Sequence, residues 1–231
     1  MSNELLLVIS IVVLYSGLLV WYRLFGERGL YAWTVFSTLA ANIEVLILVE
    51  AFGMEQTLGN VMFATTFIVT DILSENLGKA ASKKAVSIGI ATSVSFIVVT
   101  QLWLAFSPSP NDWAFESVRT LFSNTPRLML VSLLVYAVAQ RFDVWAYHAI
   151  WAVTTRVLGD REKGLWIRNN GSTLVSQLLN TVLYSAGAFW GRYPARTLLS
   201  IMASSYLIYV ATSLLDTPVV YLARRMHRRG V

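Results

Sequence analysis

Apolar stretches close to 20 residues long recur along the whole chain, separated by short polar or basic connections. Seven windows stand out as predicted helices: 4–21, 30–50, 57–73, 86–106, 126–147, 172–190 and 198–222. A helix crossing the ~30 Å hydrocarbon core of a bilayer needs about 20 mainly apolar residues, and each window meets that length within the usual error of its ends. No alternation of apolar and polar positions recurs often enough to close a barrel. Backbone groups in lipid must be satisfied internally, so a polytopic all-α bundle is the expected fold. The longest connection, 107–124, opens with Ser-Pro-Ser-Pro and carries Trp113, Ala114 and Phe115. It reads as a segment lying on the membrane surface by ordinary interfacial packing rather than as a lid.

Polar residues break the apolar windows at helical spacing. The fifth window has Ser132, Tyr136, Gln140 and Asp143; the sixth has Thr173, Gln177, Asn180 and Tyr184; the seventh has Ser205, Tyr209, Thr212 and Asp216. Offsets of three and four place each set on one helix face. Asp71 and Glu75 share a face of the third helix, with Asp71 roughly 21 Å from Thr57 at 1.5 Å per residue. Asn42 falls near the middle of the second helix, and Glu44 points about 200° away from it. An ionisable group at mid-membrane costs about 2.5–3.5 kcal/mol on insertion scales. Helix-to-helix hydrogen bonds return only about 0.6 kcal/mol each. Interhelical glue accounts for a single Ser or Thr, but several stripes bearing carboxylates and carboxamides point to a polar cavity.

Composition sharpens this picture. Of 231 residues, 56% are hydrophobic and 13% charged, against about 25% charged in soluble domains. The net charge of +5 comes from basic residues in the connections, the pattern of a membrane protein rather than of a nucleic-acid partner. With seven crossings, fourteen Lys and Arg fall on one side; only Arg119, Arg127, Arg192 and Arg196 fall on the other. The positive-inside rule then predicts a multi-pass protein of the cell (inner) membrane with its N-terminus outside and C-terminus cytoplasmic. Trp21, Trp103, Trp113, Trp166 and Trp190 sit where interfacial anchors belong. The start, Met1-Ser2-Asn3-Glu4, lacks a basic n-region, so the first helix is read as retained rather than as a signal peptide. The absence of Cys excludes disulfides, thiolate metal sites and a Cys nucleophile. No Walker A loop, H-E-x-x-H or G-x-S-x-G motif occurs, so neither ATP hydrolysis by that route nor zinc or serine hydrolase chemistry is expected. His148 is read as interfacial, and the tail 224–229 as a headgroup-binding topology signal. No cofactor and no metal is predicted. Asp71 and Glu75 could form an acid–base pair, but without a nucleophile or metal motif an enzyme is not the expected reading.

Residues 70–79, TDILSENLGK, resemble the "TDilsEvyGk" signature of the queuosine precursor transporter family, also called vitamin-uptake-like transporters. Further matches follow in order. Arg127 and Ser132 fit an "R-x4-S" helix start, and Gln140 with Asp143 fits "Q-x-x-D". Trp166, Arg168 and Asn169 fit "WlRn", continued by Ser172, Thr173, Ser176 and Gln177. Asn42 and Thr217-Pro218 match more weakly. One departure is Asn180, where many members carry Asp. The resemblance spans residues 42–221 and implies a six-helix core (30–223) like that of energy-coupling-factor substrate subunits. The helix in 1–25 would be an addition to that core within one domain, 1–231.

The resemblance further implies import of 7-cyano- or 7-aminomethyl-7-deazaguanine for salvage into the queuosine of tRNA. Such a base offers N1–H and a 2-amino group to acceptors, a carbonyl to donors and a flat face to Tyr or Trp. Stripes and resemblance together nominate Asn42, Asp71, Gln177 and Asn180 for substrate contact, with Glu75, Arg127, Gln140, Asp143 and Arg168 as secondary sites or gates. The expected partners are a small 7-deazaguanine base and the lipid bilayer, with a second copy of the chain or an ATPase module left open. The alternative is a substrate-binding membrane subunit for another vitamin or nucleobase, driven by a separate ATPase.

Overall fold

The computed structural model describes residues 1–123, 126–189, 191 and 194–230, with 126–129 as backbone only. The elements run α1 (Asn3–Glu44), β1 (Leu48–Ala51), β2 (Met54–Thr57), α2 (Gly59–Leu77), α3 (Lys79–Leu104), α4 (Phe115–Ser123), α5 (Pro126–Leu158), α6 (Leu165–Phe189) and α7 (Ala195–His227). The first two predicted helices are the two arms of α1, which reverses at Gly26 (φ 57°, ψ −138°). A Cβ on Gly17 would stand 3.0 Å from the Trp33 ring, and Trp21 stacks on Phe36 with centroids 6.3 Å apart. In a straight helix residues 17 and 33 would be roughly 24 Å apart, so the arms lie side by side. Only glycine occupies that region of backbone space without penalty. Gly26→Ala should therefore cost about 1–3 kcal/mol, read as a lower melting temperature in detergent; an unchanged melt would show that the turn does not need this conformation.

The second arm ends at Glu44, not at residue 50 as expected. Residues 48–57 form an antiparallel hairpin instead. Glu50, Gly53, Glu55, Gln56 and Thr57 make this stretch too polar and too interrupted to prolong a membrane helix. Phe52 and Gly53 both take positive φ (53° and 69°), the type I′ turn whose twist matches two paired strands. Val49 pairs with Gln56 and Ala51 with Met54, so these four share one face. Ala51 and Gln56 are buried, while Glu50, Phe52 and Glu55 are exposed. Asn3 donates through Nδ2 to the Glu50 carbonyl (2.7 Å), and the Phe52 N–H donates to Glu4 Oε1 (3.1 Å). The hairpin and the N-terminus thus share one end of the bundle. The Gly26 turn, the α2–α3 junction at Gly78 and the α5–α6 connection lie at the other.

The fold is a helical membrane bundle, polar within and apolar without. From Gly59 to Ser74 every residue of α2 but Phe63 is buried, and α2 packs against α1, α3, α5 and α7. Val12, Val13, Val98, Leu102, Leu207 and Leu215 are exposed on the outer faces, as lipid-facing residues are. Among the described residues, α1, α3 and α7 qualify by length and apolar composition as membrane-crossing helices. In the surface connection, α4 buries Phe122 against Phe96 and Trp103 (5.8 and 6.1 Å between centroids), leaving Trp113 exposed.

Candidate functional site

A cavity of about 540 Å³ occupies the hairpin end of the bundle, lined by α1, the hairpin, α2, α3, α5, α6 and α7. Small-molecule sites usually span about 300–1,000 Å³. The carboxamides of Asn42, Gln56, Asn60 and Asn180 line it, as do the rings of Phe63, Tyr136, Tyr184 and Tyr209, with Glu55 at the hairpin. Several of these groups are already fixed. Asn42 Nδ2 donates to the Thr38 carbonyl (2.7 Å) and Asn180 Nδ2 to Gln177 Oε1 (3.3 Å). The Tyr209 hydroxyl donates to Asn60 Oδ1 (3.1 Å), and Phe63 packs against the rings of Tyr136 and Tyr209. Carboxamides supply donors and acceptors without net charge and aromatic rings supply flat faces, which together suit a planar polar heterocycle.

Tyr136 reaches this wall over Gly89 of α3, where a Cβ would fall 2.0 Å from the phenol oxygen. The ring is rigid, so Gly89→Ala must push it into the cavity at a cost of about 1–3 kcal/mol. Ligand affinity should fall several-fold while the protein still folds; unchanged affinity would remove Tyr136 from the site.

Further from the hairpin, polar groups lock helix to helix. Gln140 donates through Nε2 to Thr66 Oγ1 (2.7 Å) and accepts from Thr70 Oγ1 (3.3 Å). Asp71 Oδ2 accepts from Thr173 Oγ1 (3.2 Å), Asp143 Oδ1 from Ser176 Oγ (2.8 Å) and Asp216 Oδ1 from Asn169 Nδ2 (2.8 Å). All three carboxyl groups are buried, and Asp71 Oδ1 and Asp143 Oδ2 have no hydrogen-bond partner among the described residues. Another turn along α2, Glu75 meets two cations. Arg168 donates from Nε to Glu75 Oε2 (2.9 Å) and from Nη2 to Oε1 (2.7 Å), and the Tyr147 hydroxyl donates to Oε2 (2.8 Å). Arg224 Nε lies 3.3 Å from Oε1. The Arg168 and Glu75 side chains are 0% and 2% exposed, so this cluster plugs the bundle at the end opposite the cavity.

The model of the family described as "Putative vitamin uptake transporter" matches residues 57–223. The chain is also 40% identical over 226 residues to the "Probable queuosine precursor transporter" of Bacillus subtilis (strain 168), covering 98% of this chain and 96% of that one. The chain belongs to this transporter family. No solved structure matches it. Because the alignment with the Bacillus relative leaves out only five of 231 residues, the first arm of α1 is shared with that transporter.

Within this transporter the nominated residues fall into three tiers. Asn42 and Asn180 line the cavity. Asp71 and Gln177 do not: Gln177 stands behind Asn180, and Asp71 faces Thr173 one layer further on. The physical reason is depth, since the stripes continue past the cavity floor. Gln140 and Asp143 belong to the same locked layer, while Glu75 and Arg168 form the plug. The ion pairing of Glu75 also leaves no free acid–base pair with Asp71. The Arg127 side chain, with Trp190 and Arg192, lies outside the described residues. Gln56 and Asn60, which were not nominated, also line the cavity; their signal was the density of polar residues around the start of the third predicted helix.

Proposed function

We propose that the chain imports queuosine precursors, 7-cyano- or 7-aminomethyl-7-deazaguanine, across the cell (inner) membrane. The observation that carries this reading is a cavity walled by four carboxamides and three phenols in a member of this transporter family. The hairpin end faces outward, because the opposite end gathers Lys79, Lys83, Lys84, Arg161, Lys163 and Arg224–Arg229 and cationic ends stay cytoplasmic. The cavity then receives the base from outside while Glu75, Arg168 and Arg224 close the inner end. Asn42 and Asn180 contact the base in this state; Asp71 and Gln177 meet it as it moves inward. Gln140 and Asp143 hold α2, α5 and α6 in register, and the chain works as one domain without an ATPase module.

Cells lacking their own importer and precursor synthesis, supplied with labelled base, should regain accumulation and tRNA queuosine when they express this chain. Absence of uptake despite correct membrane insertion would refute the reading. Uptake into liposomes holding the purified chain alone separates a solitary carrier from a subunit needing an ATPase.

A further inference from the structure

We infer that the β2–α2 junction is the element that reads the base, with Gln56 and Asn60 recognising the lactam edge (the adjoining C=O and N–H) of a planar heterocycle. This rests on the proposed transport of 7-deazaguanines and adds to it the residues that set specificity. Gln56 is 4% exposed and Asn60 8% exposed. Both line the cavity, yet Gln56 Nε2, Gln56 Oε1 and Asn60 Nδ2 have no hydrogen-bond partner among the described residues. Buried polar groups are nearly always paired, and those that are not call for an explanation. Here three such atoms face one cavity from positions four residues apart.

Their polarity names the ligand edge. Asn60 Oδ1 accepts from the Thr57 hydroxyl (3.3 Å) and the Tyr209 hydroxyl (3.1 Å). In this orientation Nδ2 is the atom left to the cavity, a donor that meets a carbonyl but not an exocyclic amino group. Gln56 offers a donor and an acceptor side by side. Its Nε2 adds a second hydrogen to the ligand carbonyl, and its Oε1 accepts the neighbouring ring N–H. Gln56 alone could rotate to suit a 6-aminopurine; with Asn60 oriented as its two hydroxyl partners find it, the pair matches the lactam edge. Discrimination is strong when a wrong ligand leaves buried polar groups unpaired. The backbone supports this arrangement. β2 turns Gln56 inward beside Met54, and Gly59 lets α2 start against α1, where a Cβ would meet the Val45 nitrogen at 2.9 Å.

The test uses the full-length protein purified in detergent, with binding measured calorimetrically against 7-cyano-7-deazaguanine and its 6-amino counterpart, 2,6-diamino-7-cyano-7-deazapurine, which keeps the 2-amino group. The unsubstituted protein should prefer the lactam base by roughly 100-fold. Gln56→Met should weaken lactam binding roughly 10- to 100-fold. Because the Gln56 side chain bonds nothing among the described residues, the ligand-free melting temperature of this variant should stay level or rise. Asn60→Asp, which puts an acceptor where the donor was, should shrink the preference at least about tenfold. Lactam binding with unchanged affinity and preference in both variants would overturn the assignment and leave the transport reading intact. So would a large loss of ligand-free stability in Gln56→Met, since the carboxamide would then be serving the fold. No binding of either base by the unsubstituted protein would overturn the transport reading and this inference together.

Discussion

Glu75→Gln is expected to destabilise the bundle by about 3–5 kcal/mol, the range for removing one partner of a buried ion pair, and to abolish uptake. The neutral amide leaves the Arg168 guanidinium buried at 0% side-chain exposure, with Arg224, 16% exposed, close by. Two cations would then share a site from which their counter-charge has gone. The mirror-image change should be milder. In Arg168→Gln the carboxylate keeps Arg224 at 3.3 Å and the Tyr147 hydroxyl at 2.8 Å. Arg224 can also shift toward solvent, since it already reaches Glu162. The double change Glu75→Gln with Arg168→Met removes both charges and should recover most of the lost stability, because well-packed neutral groups often replace buried pairs at little cost. Uptake should stay lost in the double variant if the cluster opens and closes the inner end. Thermal unfolding in detergent alongside labelled-base uptake checks both halves. Equal damage from the two single changes would contradict the pairing, and restored uptake in the double variant would reduce the cluster to a structural clamp.

The spans and the shared faces were legible in the sequence because membrane physics writes them in long apolar runs and in offsets of three and four. Asp71 and Glu75, placed on one face by spacing alone, do share a neighbour: α6 supplies Thr173 to one and Arg168 to the other. Periodicity names a face; it does not say at what depth a cavity stops. The α7 stripe shows this, since Ser205 and Tyr209 line the cavity while Asp216 is tied to Asn169. The hairpin was hidden for a different reason. Two four-residue strands carry too little pattern to stand against a neighbouring apolar run, and their pairing depends on Phe52 adopting a positive φ that no propensity favours. Gln56 and Asn60 were hidden with it. The reversal at Gly26 was legible only as a gap between two windows, although its glycine is the residue such a backbone demands.

Asp71→Asn should leave the protein at least as stable and yet reduce uptake roughly 10- to 100-fold, the worth of a hydrogen bond to a charged or strongly polar group. Two roles for this carboxyl predict opposite results. As interhelical glue it contributes one bond, from Thr173 Oγ1 to Oδ2 at 3.2 Å, which the amide oxygen of Asn can accept equally well. Oδ1 has no partner among the described residues, so the substitution removes no hydrogen bond that they make. A residue kept only for stability would therefore tolerate Asn with uptake unchanged. A residue kept for transport would not, because an ionisable group inside a membrane is costly and is retained where it serves a passenger or ion. Asp143 offers the internal comparison: its Oδ1 accepts from Ser176 and its Oδ2 is likewise unpaired, so Asp143→Asn should show the same split between stability and uptake. Full uptake by Asp71→Asn at normal membrane levels would assign the layer to packing alone, and the path of the base through the bundle would have to avoid α2 beyond Thr70.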